Sequence, residues 1–316
     1  MNSYTGLMIA GWLSLAVQAA GTHCVRMDSP VVTFYFGVET AFPDPNQMEV
    51  IDGFHTDLST PYLCGEGLCR WDFAVSPNDL PGGGARRIPP QRALLFVNPL
   101  ARMTMPASPA FAFLGASPGQ TIWVLPQNYL SGVLWLGFNS GQMTADVLSG
   151  LCLWNPQDAG RADTPARWLR VRLLDVRRPQ GSHFSLWQTG SFGQPRVFFS
   201  TYDGGITEQD VYYYQAGAHT HLNWGFTKPG LYEVDLQLST FYQCSSDLTA
   251  DLTGDCRVNL SDAAVIAAHW LQSGCADPNS CGGADLNQSG RVEPADLSIL
   301  ADQWLFCGSP FPSECL

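Results

Sequence analysis

The segments DLTGDCRVNLSD (Asp251–Asp262) and DLNQSGRVEPAD (Asp285–Asp296) are two copies of one twelve-residue pattern whose starts lie 34 residues apart. Each copy places oxygen-bearing side chains at loop positions 1, 3, 5, 9 and 12, and each is followed by an apolar stretch with a tryptophan at the matching place, Trp270 and Trp304. Repetition at a fixed period indicates one structural unit used twice. The spacing suits Ca2+, a hard cation that takes about six to eight oxygen ligands at roughly 2.3–2.6 Å from alternate residues of a tight loop. In the first copy the expected ligands are Asp251, Thr253, Asp255, the backbone carbonyl of Arg257, Asn259 (directly or through water) and Asp262. In the second they are Asp285, Asn287, Ser289, the carbonyl of Arg291, Glu293 and Asp296. Val258 and Val292, at position 8, are expected to turn inward and join the loops to a common small core. Position 6 ordinarily requires glycine for a sharp turn; Gly290 meets this and Cys256 does not. Thr253 and Ser289 lower the negative charge of their loops, which is expected to weaken binding.

The segment after each loop carries a helical period. Ala263, Ile266, Ala267, Trp270 and Leu271 fall at steps of three and four within Asp262–Leu271, and Leu297, Leu300, Ala301, Trp304 and Leu305 repeat the arrangement. No amphipathic helix precedes either loop. Loop plus following helix, without the leading helix of an EF-hand, resembles the type I dockerin module, over about 247–307. The resemblance implies a calcium-held fold whose helices bind a cohesin module on a scaffold or cell surface, and so a partner rather than a reaction. Family members often carry a Ser-Thr pair at loop positions 10 and 11 that sets partner choice. Here those positions are Leu260-Ser261 and Pro294-Ala295, so the usual cohesin specificity is not carried over, and another surface protein is an alternative partner.

The charge distribution agrees with cation ligands. From Cys244 onward ten acidic residues face two arginines, a balance of −8 out of the chain's −12. No basic stripe suggests nucleic acid. Leu7–Val17 is an apolar run too short to span a bilayer, and Val17-Gln18-Ala19-Ala20 offers small residues for cleavage, so residues 1–20 read as an export signal. No later stretch is long and apolar enough for a membrane helix, and the mature chain is expected to be soluble, secreted or at the cell surface. Ten cysteines fit an oxidising destination. Cys64 and Cys69 bracket a short turn and could close locally, and Cys256 could be tethered to another cysteine of the acidic region.

From 28 to 242 the chain is punctuated by Gly and Pro and rich in aromatic and β-branched residues. Ten short apolar or alternating runs recur there: Val31–Phe36, Arg70–Val75, Ala93–Val97, Thr121–Leu125, Val133–Gly137, Trp168–Val176, His183–Gln188, Arg196–Thr201, Asp210–Gln215 and Tyr232–Phe241. They predict a mainly β domain, an antiparallel β-sandwich, with no helix before residue 262. A small α-helical module at 247–307 then follows a link near 243–246, with a tail at 308–316.

One segment is more specific. AGAHTHLNWGFTKPGLYEVDLQLS (Ala216–Ser239) resembles the closing motif of the choice-of-anchor M, or surface-anchored protein repeat, family. Upstream matches follow in order: GFHTDL (Gly53–Leu58), PASPAFAFLG (Pro106–Gly115) with IWVLPQ (Ile122–Gln127), and FSLWQTGSFGQPRVFF (Phe184–Phe199), so the resemblance spans about 52–239. It implies an exported protein with a variable C-terminal attachment.

Residues i and i+2 of a strand share a face. His219 and His221 would therefore present two imidazoles together, and His55 and Asp57 would do likewise if they too lie on a strand. The four would make a ligand set suited to Zn2+ or another divalent transition metal. The alternative is that these side chains hydrogen-bond near a sheet end and never meet.

Other candidates are weaker. Trp123, Trp135, Trp154, Trp187 and Trp224 could line a sugar platform, though tryptophan in a β-domain is more often core. Asp203 with Glu208, and Glu233 with Asp235, lack the setting of a hydrolase. No GxSxG or phosphate loop is present. The leading expectation is an exported, non-catalytic surface or extracellular protein that binds two calcium ions and docks through its C-terminal module. The alternatives are an accessory, carbohydrate-binding or hydrolytic component of extracellular polysaccharide degradation, and zinc binding by the β-domain.

Overall fold

The computed structural model describes residues 24–40, 48–65, 68–80, 84–158, 162–244, 248–275 and 280–308. The export segment expected at 1–20, residues 245–246 of the expected link with residue 247, the tail beyond 308 and the side chains of Cys64 and Cys69 lie outside the described residues. The chain divides into two compact units; among the described residues the larger comprises Arg26–Tyr242 and the smaller Gln243–Gly308 together with Cys24 and Val25. Among the described residues no helix is long and apolar enough to cross a membrane.

The first unit is built of sheets. A seven-stranded sheet runs Val211–Gln215, Trp168–Arg177, Gly230–Gln243, Val32–Val38, Ala93–Val97 and Glu49–Ile51, with Cys24–Asp28 also paired to Gly230–Gln243. A five-stranded sheet runs Pro195–Ser200, Phe184–Thr189, Asn223–Phe226, Thr121–Leu125 and Arg102–Thr104. A four-stranded sheet runs His219–His221, Trp135–Asn139, His55–Ser59 and Ala74–Pro77. Period-2 alternation explains the longest strand: Tyr232, Val234, Leu236 and Leu238 are buried, while Glu233 and Asp235 between them are held at the surface by Arg177 of the neighbouring strand. The core lies where the inward aromatic side chains of the sheets meet. Phe36 packs against Phe184, Trp224 and Phe226 at ring separations of 5.3–6.3 Å, and Phe138 packs against Tyr212, Tyr214 and Trp224. Full burial of each such side chain stabilises the unit by about 1.5–3 kcal/mol.

Ala93–Val97 and Thr121–Leu125 coincide with the expected strands. The run at Arg70–Val75 divides into Leu68–Trp71 and Ala74–Pro77, because the first part pairs with Tyr62–Gly65 and the second crosses to His55–Ser59. The sheets are also not purely antiparallel. His55–Ser59 pairs in parallel with Trp135–Asn139, and Ala93–Val97 in parallel with both Val32–Val38 and Glu49–Ile51. Alternation reports which face a residue takes and carries no information on strand direction, which long connections decide. A six-residue helix, Ala145–Gly150, capped by the Thr144 hydroxyl, was invisible to periodicity because it is too short to show one.

The second unit holds helices at Leu260–Ala268 and Pro294–Asp302. The first begins two residues before the expected start, since Asn259 caps it: its Oδ1 accepts the Ser261 N–H at 2.7 Å while its own N–H donates to Asp262 Oδ2 at 2.8 Å. It ends before Trp270, and Leu271 takes a left-handed φ of 64°. Of the apolar face expected on this helix only Ile266 is fully buried. The core is instead made by pairs of residues 34 apart: Ala250 with Ala284, Val258 with Val292, Ile266 with Leu300. A core this small needs staples. Disulfides Cys244–Cys256 and Cys275–Cys281 supply two, and among the described residues no cysteine is free.

Candidate metal centres and docking face

Three adjacent strands of the four-stranded sheet bring His55, Asp57, His219 and His221 together. Trp135–Asn139 is the middle strand. Its Trp135 stands opposite His55, its Gly137 opposite Asp57 on one side and His221 on the other, and its Asn139 opposite His219. All these positions lie two residues apart along their strands, so they share one face. The intervening Leu58, Leu136 and Phe138 turn into the core. Gly137 contributes no side chain, and the His221 ring occupies the space beside it. A Cβ built there would lie 2.5 Å from the Thr220 carbonyl oxygen and 2.9 Å from the His221 ring.

The four ligand atoms lie within 4.8 Å of one another. His55 Nε2 is 3.3 Å from His219 Nε2 and 3.5 Å from Asp57 Oδ1, and His219 Nε2 is 2.8 Å from that same oxygen. Asn139 Nδ2 donates to the other carboxylate oxygen, Oδ2, at 2.9 Å, which turns Oδ1 toward the imidazoles. The His221 ring stacks on Trp135 with centroids 3.9 Å apart and planes at 12°. Both of its nitrogens are buried without a hydrogen-bond partner. Burial alone would push the Asp57 carboxyl up, but hydrogen bonds from His219, His55 and Asn139 outweigh it and hold it well below the ordinary range. The bond to Asp57 raises His219, whereas burial, reinforced by neighbouring His219, pushes His221 down to about 4. His221 is therefore neutral at physiological pH, with a free nitrogen lone pair. The alternative in which these four side chains never meet is overturned, since their ligand atoms converge. Gly137 and Asn139 were not singled out in the sequence; the available signal was a glycine inside an apolar strand, which marks a close approach.

The C-terminal loops each wrap their backbone around two aspartates. In the first, Asp251 Oδ1 accepts the N–H groups of Gly254 and Asp255 at 2.8 and 3.1 Å, and Oδ2 that of Cys256 at 2.8 Å. Asp262 Oδ1 accepts the N–H groups of Leu252 and Thr253 at 2.9 Å and the Thr253 hydroxyl at 3.0 Å. In the second, Asp285 accepts from Ser289 and Gly290, and Asp296 from Asn287 and Glu293. Asp262 and Asp296 are wholly buried. The carboxylates of Asp251, Asp255 and Asp262 lie within 4.8 Å of one another, and burial raises the Asp251 carboxyl above the ordinary range. Clustered anionic oxygens at this depth are compatible with a hard divalent cation.

Position 6 is left-handed in both loops, with φ of 65° at Cys256 and 87° at Gly290. Cys256 meets the turn requirement without being glycine, at a cost of about 1–2 kcal/mol, and its disulfide to Cys244 holds it there. The loops are tied crosswise. Val258 exchanges backbone hydrogen bonds with Leu305 and Phe306 beyond the second helix, and Val292 does the same with Leu271 and Gln272 beyond the first. Leu271 and Leu305, 34 residues apart, share the same left-handed φ, 64° and 63°.

Residues 249–304 match the family model for the dockerin type I domain. No curated protein and no solved structure matches the chain. The dockerin domain leaves a set of large apolar side chains in solvent: Leu260, Trp270 and Leu271 from the first repeat, and Leu297, Trp304, Leu305 and Phe306 from the second. Leu260 is 76% and Leu305 72% exposed, values that a side chain serving only the core would not keep.

Most of the remaining candidates have structural partners. Trp224, Trp187 and Trp123 are buried in the core, and Trp135 is covered by His221. Trp154 packs edge-on against Tyr213 and Phe241. Glu233 and Asp235 share Arg177, and Glu208 is bonded to Arg172.

Proposed function

We propose that the protein is exported and attaches, through its dockerin domain, to a cohesin-bearing partner at the cell surface or outside the cell, without a catalytic role of its own. The observation that carries this reading is the dockerin match over 249–304, coupled to the exposed apolar side chains along its two helices and their C-terminal turns. Each loop is assigned one Ca2+, held by Asp251, Thr253, Asp255, Arg257 carbonyl, Asn259 and Asp262, and by Asp285, Asn287, Ser289, Arg291 carbonyl, Glu293 and Asp296. With the ions in place the loops order the helices into a preformed docking face. Export is supported by the apolar Leu7–Val17 run and by the paired cysteines. We read the larger unit as a β-sandwich of the surface-anchored type, on the aromatic contacts between its sheets and the sequence motifs at 53–58 and 216–239.

Titrating the full chain against a panel of recombinant cohesin modules by calorimetry, in calcium and in excess chelator, tests the reading. One-to-one binding to at least one cohesin in calcium is expected, abolished by chelator. Leu260→Asp should weaken it at least about 30-fold, the size of an interface hot spot. Absence of binding to every cohesin, with calcium loading verified, would refute cohesin as the partner.

A further inference from the structure

We propose that His55, Asp57, His219 and His221 form a four-ligand zinc site in the β-unit, separate from the calcium loops. Ligands of a tetrahedral ion with metal–nitrogen distances of about 2.0–2.1 Å lie about 3.3–3.4 Å from one another. Among His55, Asp57 and His219 the three separations are 3.3, 3.5 and 2.8 Å, two of them close to that value and one short of it by about half an ångström, and a His221 ring nitrogen lies within 4.8 Å of the other three ligand atoms. The donor set is His55 Nε2, His219 Nε2, Asp57 Oδ1 and one ring nitrogen of His221. Imidazole nitrogens with a single carboxylate select zinc or a neighbouring transition ion over calcium, which prefers oxygen throughout.

A purely hydrogen-bonded cluster accounts for this geometry less well. His55 and His219 direct the same kind of nitrogen at each other, so at most one N–H can serve that contact. His221 keeps both nitrogens buried and unpartnered, which is costly in an apolar setting and is relieved if one of them binds a cation. The supporting features are those of a metal centre. Asn139 orients the Asp57 carboxylate from behind, and the Trp135 face fixes the His221 ring. Gly137 leaves room for the His221 ring.

Four protein ligands fill a tetrahedral ion, leaving no position for a substrate or an activated water. The site therefore retains zinc or clamps the sheet and does not hydrolyse. It links the strands His55–Ser59 and His219–His221 across the intervening strand Trp135–Asn139. The side chains of His55 and His219 are 27% and 40% exposed, so the ion is reachable from solvent and open to exchange.

The test uses the full chain, oxidised, free of any histidine tag and saturated with calcium, titrated with Co2+ and then Zn2+. One cobalt per chain is expected, with the intense visible absorption of a tetrahedral ion, bleached by stoichiometric zinc. Cobalt displaced into the all-oxygen loops would be octahedral and pale, so the two locations are distinguishable. His219→Ala and His221→Ala should each lose the tetrahedral band, and His55→Gln should weaken binding at least about tenfold. Asn139→Leu, which touches no metal, should weaken it about 10–100-fold. Near-ultraviolet circular dichroism and the thermal midpoint in chelator establish that each variant is folded. The proposal is overturned if the wild type shows no tetrahedral band, or if folded variants at only one of the three histidines change it. Cohesin binding is measured on the same samples and is expected to be unchanged, so failure here leaves the docking assignment standing.

Discussion

Removing calcium from the intact chain, with its disulfides reduced, is expected to unfold the dockerin domain while the β-unit stays folded. Three carboxylates, Asp251, Asp255 and Asp262, face one another within 4.8 Å, and Asp262 is wholly buried. A like-charge pair about 4 Å apart repels by about 4 kcal/mol at an effective dielectric near 20. Calcium turns that repulsion into attraction. Ligand present at about 1,000 times its dissociation constant adds about 4 kcal/mol to the folded state, which for a domain of this size raises the midpoint by on the order of 15–30 °C. The far-ultraviolet signal of Leu260–Ala268 and Pro294–Asp302 should collapse on chelation, and Asp262→Asn should reproduce much of that loss in the presence of calcium. The pH dependence has a definite sign. Because burial raises Asp251 in the folded, ion-free domain, that fold takes up a proton more readily than the unfolded chain does. The penalty of this carboxylate is thus fully present above its raised pKa and is relieved as pH falls through it. Calcium, which needs the ionised form, loses affinity over the same range. The gap between calcium and chelator midpoints should be widest near neutrality and close on acidification. Equal midpoints with and without chelator, at neutral pH and after reduction, would remove calcium from the account of this domain.

The proposed calcium loops and the histidine cluster differ in how far the sequence exposes their geometry, because they are encoded at different ranges. A calcium loop draws its ligands from twelve consecutive residues, so spacing alone names Asp251 to Asp262, and the copy at Asp285 to Asp296 removes coincidence. The helices that follow were legible as helices, but their boundaries depend on the Asn259 cap and on left-handed Leu271, which periodicity does not register. The histidine cluster is encoded as two local pairs, His55 with Asp57 and His219 with His221, each readable as one face of a strand. Their meeting depends on a third strand, Trp135–Asn139, lying between them, parallel to one and antiparallel to the other. Nothing in alternation specifies that register across 164 residues. Asn139 and Gly137 acquire their roles only from it, which is why neither stood out.

Gly137→Ala is the substitution for which that register predicts the largest effect in the β-unit. A methyl group there would sit 2.5 Å from the Thr220 carbonyl oxygen and 2.9 Å from the His221 ring, both below the distance at which real Cβ contacts occur. The backbone oxygen belongs to the His219–His221 strand that pairs with Gly137 itself, so the clash can be relieved only by parting the two strands or expelling the ring. Overpacking of this kind costs about 1–3 kcal/mol, and the strand displaced carries two of the four proposed zinc ligands. Two separable results are expected. In chelator, the β-unit's midpoint falls, because the clash exists whether or not a metal is bound. With cobalt, the tetrahedral band weakens by at least tenfold, because His219 and His221 leave the positions that Asp57 and His55 face. Gly190→Ala is the control: the nearest atom to its added methyl group is the Gln194 carbonyl oxygen at 3.7 Å, ordinary contact, and its stability should stay within about 0.5 kcal/mol of wild type. A lowered midpoint with an unchanged cobalt spectrum would keep the strand register and discard the zinc site. An unchanged midpoint would show that Thr220 and His221 do not press on residue 137, and the placement of the four ligands around it would fail with that.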